Sequence, residues 1–133
     1  MQKATVPWVR KAEADYDAAH RLGVDAACHD AVCFHCQQCV EKYLQAHLVE
    51  ANLNAPKTHD LDRLLGLVLP IHGTLRTFRR GLLFLSAFAV ETRYPGFDAS
   101  QRQATAALRW TEQIRRESRA LLGIKPPRPR KRT

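Results

Sequence analysis

Three cysteines at three-residue intervals, Cys33, Cys36 and Cys39, lie in the stretch AVCFHCQQCVEKYLQAHLVEA with His35 and His47. A C-x-x-C-x-x-C spacing suits a metal ion or an iron–sulfur cluster when a loop can wrap the ligands around it. This stretch contains no Gly, Pro, Asn or Asp, so nothing in it breaks a helix. On a helix each three-residue step turns a side chain back by about 60°, and three thiols cannot converge on one ion. Core packing, the usual fate of a free cysteine, is the expectation, with no metal and no cofactor. The polar residues of the same stretch are then the informative ones. His35, Gln38 and Lys42 fall on one helical stripe; Gln37, Glu41 and Gln45 fall on the adjacent one. Such stripes on a central helix imply either a binding site or a polar subunit interface. His35 is a candidate for holding a phosphate or a base, with Gln38 and Lys42 beside it; the alternative is a histidine satisfied in a helix–helix contact.

Other residues offer weaker chemistry. His59 follows Thr58 at the expected start of a helix, where free backbone N–H groups attract anions, or else it caps locally. Arg93 and Tyr94 are candidates for pairing with and stacking on a nucleotide, or for ending a helix and packing. Arg76, Arg79 and Arg80 read as a solvated face that could extend a phosphate-binding surface. His20, His29, His47 and His72 form neither H-x-x-x-H nor H-E-x-x-H.

The elements that must position these groups are helical throughout. Pro7 opens a first helix over residues 7–21, with Trp8, Ala12, Tyr16 and Ala19 as its apolar line, and Gly23 ends it. Asp25 is placed to cap a second helix over residues 25–51, about 26 residues and roughly 39 Å long. Thr58 is the expected cap of a third, which Pro70 closes; residues 73–92 read as a fourth, with Leu75, Phe78, Leu82, Leu85 and Ala89 as its seam. Pro95 and Gly96 make a turn, and Asp98 with Gln101 reads as the capping pair of the last helix, which Gly123 and Pro126 stop. The fold class is all-α, an antiparallel up-and-down bundle of four to five helices, with residues 1–124 as the domain.

Residues 125–133 form a basic, Pro-rich tail with the composition of a disordered extension. The formal net charge is +8, and Lys125, Arg128, Arg130, Lys131 and Arg132 supply five of it, leaving +3 for the rest. The tail therefore acts as an electrostatic element, able to draw the domain toward nucleic acid or an acidic partner. The longest apolar run, near Leu82–Val90, is too short to span a bilayer, and no apolar leader opens the chain. A cytoplasmic protein with reduced thiols is expected.

The run Ala31-Val-Cys-Phe-His-Cys-Gln-Gln-Cys-Val-Glu-Lys-Tyr-Leu-Gln-Ala46 resembles the signature helix of prokaryotic HEPN domains, a small residue, an aromatic, His, Ala, Gln-Gln, then Glu-Lys. The resemblance extends to the opening helix, to Thr58-His59-Asp60-Leu61 and to Arg93-Tyr94-Pro95, in the family's order. It implies a small helical bundle, commonly dimeric, associated with nucleotides or RNA and often paired with a minimal nucleotidyltransferase, in some cases as toxin and antitoxin. Several branches are metal-independent ribonucleases using Arg, a spacer of four to six residues, and His, brought together across a dimer. That motif is absent: seven residues separate Arg21 from His29, eight separate Arg63 from His72, and no His follows Arg93. General acid–base cleavage would need a histidine from elsewhere, such as His35 or His59, so a non-catalytic module is the expectation. The readings are a nucleotide- or RNA-associated module, a dimeric interaction subunit, and last a ribonuclease.

Overall fold

The computed structural model describes residues 1–23 and 28–126, and all regular structure among them is helical. The expected cap Asp25 and the tail residues Arg128, Arg130, Lys131 and Arg132 lie outside the described residues. Helix α1 (Val6–Leu22) is followed by α2 (His29–Glu50), α3 (Leu61–Val68), a 3-10 helix (Gly73–Phe78), α4 (Arg79–Ser86), α5 (Phe88–Glu91) and α6 (Gln101–Leu121).

The bundle is built around α2, against which α1, α3, α4, α5 and α6 all pack. Surrounded in this way, α2 buries residues on every side, from Val32 and Cys33 through to His47 and Leu48. Cys33 and Cys36 join the main core with Leu44, Leu61, Leu64, Leu85 and Ile114. Cys39 sits in a second cluster with Val9, Ala12, Tyr43, Ala46 and Leu122. Cys39 thus faces a different part of the interior from Cys33 and Cys36, as the rotation at each helical step requires. The α2 end is closed by Asn52 at φ 60°, with Asn52 N–H donating to Val49 O and Leu53 N–H to Leu48 O.

Three boundaries differ from the sequence expectation. The cap of α3 is Asp60, not Thr58: the Asp60 carboxylate accepts from Asp62 N–H and Arg63 N–H, while Thr58 Oγ1 accepts from Asp60 N–H one step earlier. The cap of α6 is Ser100, not Asp98, in a full capping box with Gln103. Asp30 decides this shift, because its carboxylate takes Ala99 N–H at 2.6 Å and fixes the chain just before Ser100. The expected helix over residues 73–92 is split. Gly73, Thr74 and Thr77 are weak helix formers, and Thr77 Oγ1 donates to Thr74 O, so the first turns tighten to 3-10. Ala87 keeps helical dihedrals between α4 and α5, where Ser86 Oγ leaves for α3, donating to His59 O and accepting from Leu61 N–H.

A polar tie fixes α1 against α6. Glu13 receives two hydrogen bonds from Arg115, at 2.7 and 2.8 Å, one from Arg119 and one from Tyr43. The Arg115 guanidinium also lies 3.9 Å from the centre of the Tyr16 ring, and Tyr16 donates to Glu112. Burial would push the Glu13 carboxyl up, but the Arg115 and Tyr43 hydrogen bonds and the two arginine charges hold it below the usual carboxylate range. At the far end Gly123, at φ 74°, closes α6, with Ile124 N–H reaching back to Arg119 O.

Candidate functional site

The two polar stripes of α2 meet different neighbours. His35 and Lys42 converge on one carboxylate of α1: Asp15 accepts from His35 Nδ1 at 2.8 Å and from Lys42 Nζ. Asp15 is itself 9% exposed, and two cation-capable partners are what make an acid tolerable there. With Nδ1 committed to Asp15, Nε2 is the histidine nitrogen left for a ligand. His35 and Lys42 keep 29% and 21% of their side chains exposed.

The second stripe is covered by the chain's own loop before α3. Gln37 is fully buried and donates to Glu41 Oε1 at 3.2 Å and to His59 O at 3.3 Å. Gln45 donates to Pro56 O, and Gln38 donates to Gln37. His59 Nδ1 lies 2.7 Å from Glu41 Oε1, so the Glu41 carboxylate orients a ring that is 52% exposed. Gln37, Glu41 and Gln45 therefore hold the loop down within the monomer, and the subunit-interface reading of that stripe is corrected.

Between α1 and this loop lies a groove of about 380 Å³ lined by Trp8, Glu41, Lys42, Gln45, Lys57, Thr58 and His59. The volume is that of a small-ligand site. Its chemistry is mixed: an indole for stacking, two ammonium groups, two hydroxyl- or amide-bearing residues, and a carboxylate-oriented imidazole. Lys42 and Lys57 are offset by Asp15 and Glu41, so with neutral histidines the site carries no large excess of positive charge. It matches a ligand with an aromatic body and a single anionic group better than a polyanion.

Lys42 and His59 line the groove; His35 shares Asp15 with Lys42, and Gln38 joins through Gln37. Arg93 and Tyr94 are elsewhere. Arg93 stands 5.1 Å over the Phe34 ring in a separate hollow with Asp30, Ala31 and Thr92, and Tyr94 is 64% exposed. Lys125 is exposed past the end of α6. Asp15, Trp8 and Lys57 escaped sequence reasoning. Trp8 reads as core from its spacing, Lys57 as a turn residue, and Asp15 as one more solvated acid of an amphipathic helix.

Among the described residues no group of three or more His, Cys, Asp or Glu is placed to hold a metal ion. No helix among them is long and apolar enough to cross a membrane. Neither a curated protein nor a solved structure matches the chain. The family model described as HEPN domain matches residues 5–121, almost the whole bundle. With a helical core built around the His35–Lys42 helix and a family match of that extent, the chain belongs to the HEPN domain family.

Proposed function

We propose that this HEPN domain is a nucleotide- or RNA-associated module whose groove takes one nucleotide unit, and that it acts with a minimal nucleotidyltransferase partner in a toxin–antitoxin pair. The observation that carries the reading is the groove itself: Trp8 offers a stacking face, Lys57 and Lys42 flank it with positive charge, and His59 is turned by Glu41. Base–aromatic stacking is worth about 1–3 kcal/mol, so Trp8→Ala is expected to weaken binding of AMP or UMP about tenfold or more. Lys57→Ala and His35→Ala weaken it further, while Arg93→Ala, outside the groove, leaves it unchanged. Calorimetry in which neither mononucleotide binds saturably, or in which Trp8→Ala has no effect, removes the reading. The partner half is tested by co-purification with a nucleotidyltransferase encoded in the adjacent reading frame.

A second reading, a non-catalytic dimeric interaction subunit, is favoured by one observation. Leu83, Val90 and Tyr94 are 48%, 54% and 64% exposed and, with exposed Ala87, form one row along α4, α5 and the turn after them. Light scattering of the protein and of Val90→Asp checks it; a monomer in both cases counts against a homodimer.

A further inference from the structure

We propose that the outer face of α6 is a track for the phosphodiester backbone of a nucleic-acid strand, engaged by Arg102, Arg109 and Arg116. These arginines recur every seven residues, and all three are exposed. At 1.5 Å per residue the steps are about 10.5 Å, and the drift of about 20° per seven residues keeps all three within about 40° of arc. The buried line of the same helix, Ala104, Ala107, Thr111, Ile114 and Ser118, lies on the opposite side. The arginines therefore project straight away from the core along most of a helix of 21 residues.

Between Arg102 and Arg109 the exposed surface is small or uncharged. Gln101, Thr105 and Ala106 line a hollow of about 390 Å³ with Arg102 and Arg109. A second hollow of about 340 Å³ runs from Arg116 and Glu112 past Arg119 and Ala120 to Ile124 and Pro126. Of the acids of α6, Glu112 accepts from Tyr16, lines the second hollow and pairs with Arg116 at 3.6 Å, so among the described residues Arg116 is the one track arginine with a counter-charge, while Glu117 accepts from Thr74. Arg102 and Arg109 have no ion-pair partner among the described residues.

The same face argues against a protein partner. Protein interfaces are anchored by buried aromatic and aliphatic side chains. The large exposed hydrophobics of the described residues are Met1, Leu53, Leu67, Ile71, Leu83, Val90 and Tyr94, none of them on α6. A narrow row of guanidinium forks without an apolar anchor fits a linear polyanion, bound through its phosphates and without base readout. The charge-balanced nucleotide groove lacks this polyanion chemistry. The track rests on the nucleotide- or RNA-associated reading above but uses none of the groove's residues, so the two fail separately.

The test is fluorescence anisotropy of labelled oligouridylate and oligodeoxythymidylate of roughly 20 nucleotides, between about 50 and 200 mM salt, on the full chain. The triple variant Arg102→Gln, Arg109→Gln, Arg116→Gln removes only exposed side chains, and circular dichroism checks its fold. Each single-strand phosphate contact contributes about 0.7 to the slope of log affinity against log salt, so the triple variant lowers that slope by about 2. Its affinity at low salt falls about tenfold or more for both oligonucleotides, and the corresponding Arg→Lys triple restores most of the slope. A separate full-length variant, Arg128→Gln, Arg130→Gln, Lys131→Gln, Arg132→Gln, measures the tail. If the triple variant keeps the parent's affinity and slope while the tail variant loses both, or if the parent protein binds neither oligonucleotide, the track is overturned. Loss of slope with intact AMP binding supports the track whatever Trp8→Ala does to the groove.

Discussion

His47 is the residue whose surroundings differ most from its chemistry. It is fully buried near the end of α2, its ring 5.0 Å from that of His72, and both its nitrogens lack a hydrogen-bond partner. Burial, with the nearby His72, pushes its pKa down to about 4, so the folded protein holds it neutral. An unfolded chain protonates the same group near 6.5. The unfolded state therefore binds more protons between these values, and His47 leaves stability intact above pH 6.5 and erodes it as pH falls toward 4. The full difference is worth on the order of 3 kcal/mol. His47→Leu, close in volume, is expected to flatten that decline; urea denaturation at pH 7 and pH 5 measures it, and an equal decline in both proteins rules His47 out as the cause. The cysteines give a simpler outcome. Burial raises Cys33 and Cys36 to about 12 and Cys39 well above its ordinary value, whereas Cys28 is partly exposed. Iodoacetamide at mildly alkaline pH should label Cys28 alone in the folded protein and all four thiols in urea, as counted by mass spectrometry.

Helices α1, α2 and α6 were readable from the chain because long amphipathic or apolar runs override small errors at their ends. Their caps were not, and the reason is tertiary. Thr58 and Asp60 are both competent caps, as are Asp98 and Ser100; Asp30, dozens of residues away, selects Ser100 by holding Ala99 N–H at 2.6 Å. The split of the expected fourth helix is partly local, in its weak helix formers, and partly long-range, in the Ser86 bonds to residues 59 and 61. Gly81 shows another long-range demand. In sequence it is a weak spot in an apolar seam, but a Cβ at this position would overlap the Trp110 ring of α6. Gly81→Ala gains up to about 1 kcal/mol of helix propensity and incurs overpacking of about 1–3 kcal/mol. The expected net is destabilisation, and in a Trp110→Leu background the same substitution becomes neutral or favourable. A double-mutant cycle by thermal denaturation decides it; an equal effect in both backgrounds means the ring is not what Gly81 accommodates.

At the scale of the whole molecule, α2 provides the shared apolar centre while Glu13 provides the polar tie between the first helix and the last. Arg115 stands at the border of the buried face of α6, beside Thr111 and Ser118, and a charge there requires a partner from another helix. Glu13 is that partner, and on the same helix Trp8 lines the groove while Asp15 holds Lys42 at its edge. Glu13→Gln keeps the shape but leaves Arg115 and Arg119 without a counter-charge, their side chains only 22% and 20% exposed. The expected cost at neutral pH is about 2 kcal/mol. The Glu13 carboxyl is depressed when folded, so its contribution is complete above the ordinary value of 4.5 and disappears as pH falls through the lower folded value. The gap between parent and Glu13→Gln should therefore stay constant from pH 7 to about pH 5 and close only below 4.5, a window more acidic than most of the His47 decline. Urea titrations of the parent, Glu13→Gln and His47→Leu across this range separate the two. A parent–Glu13→Gln gap that closed above pH 5 would mean that some other group, and not the Glu13 carboxylate, holds α1 on α6.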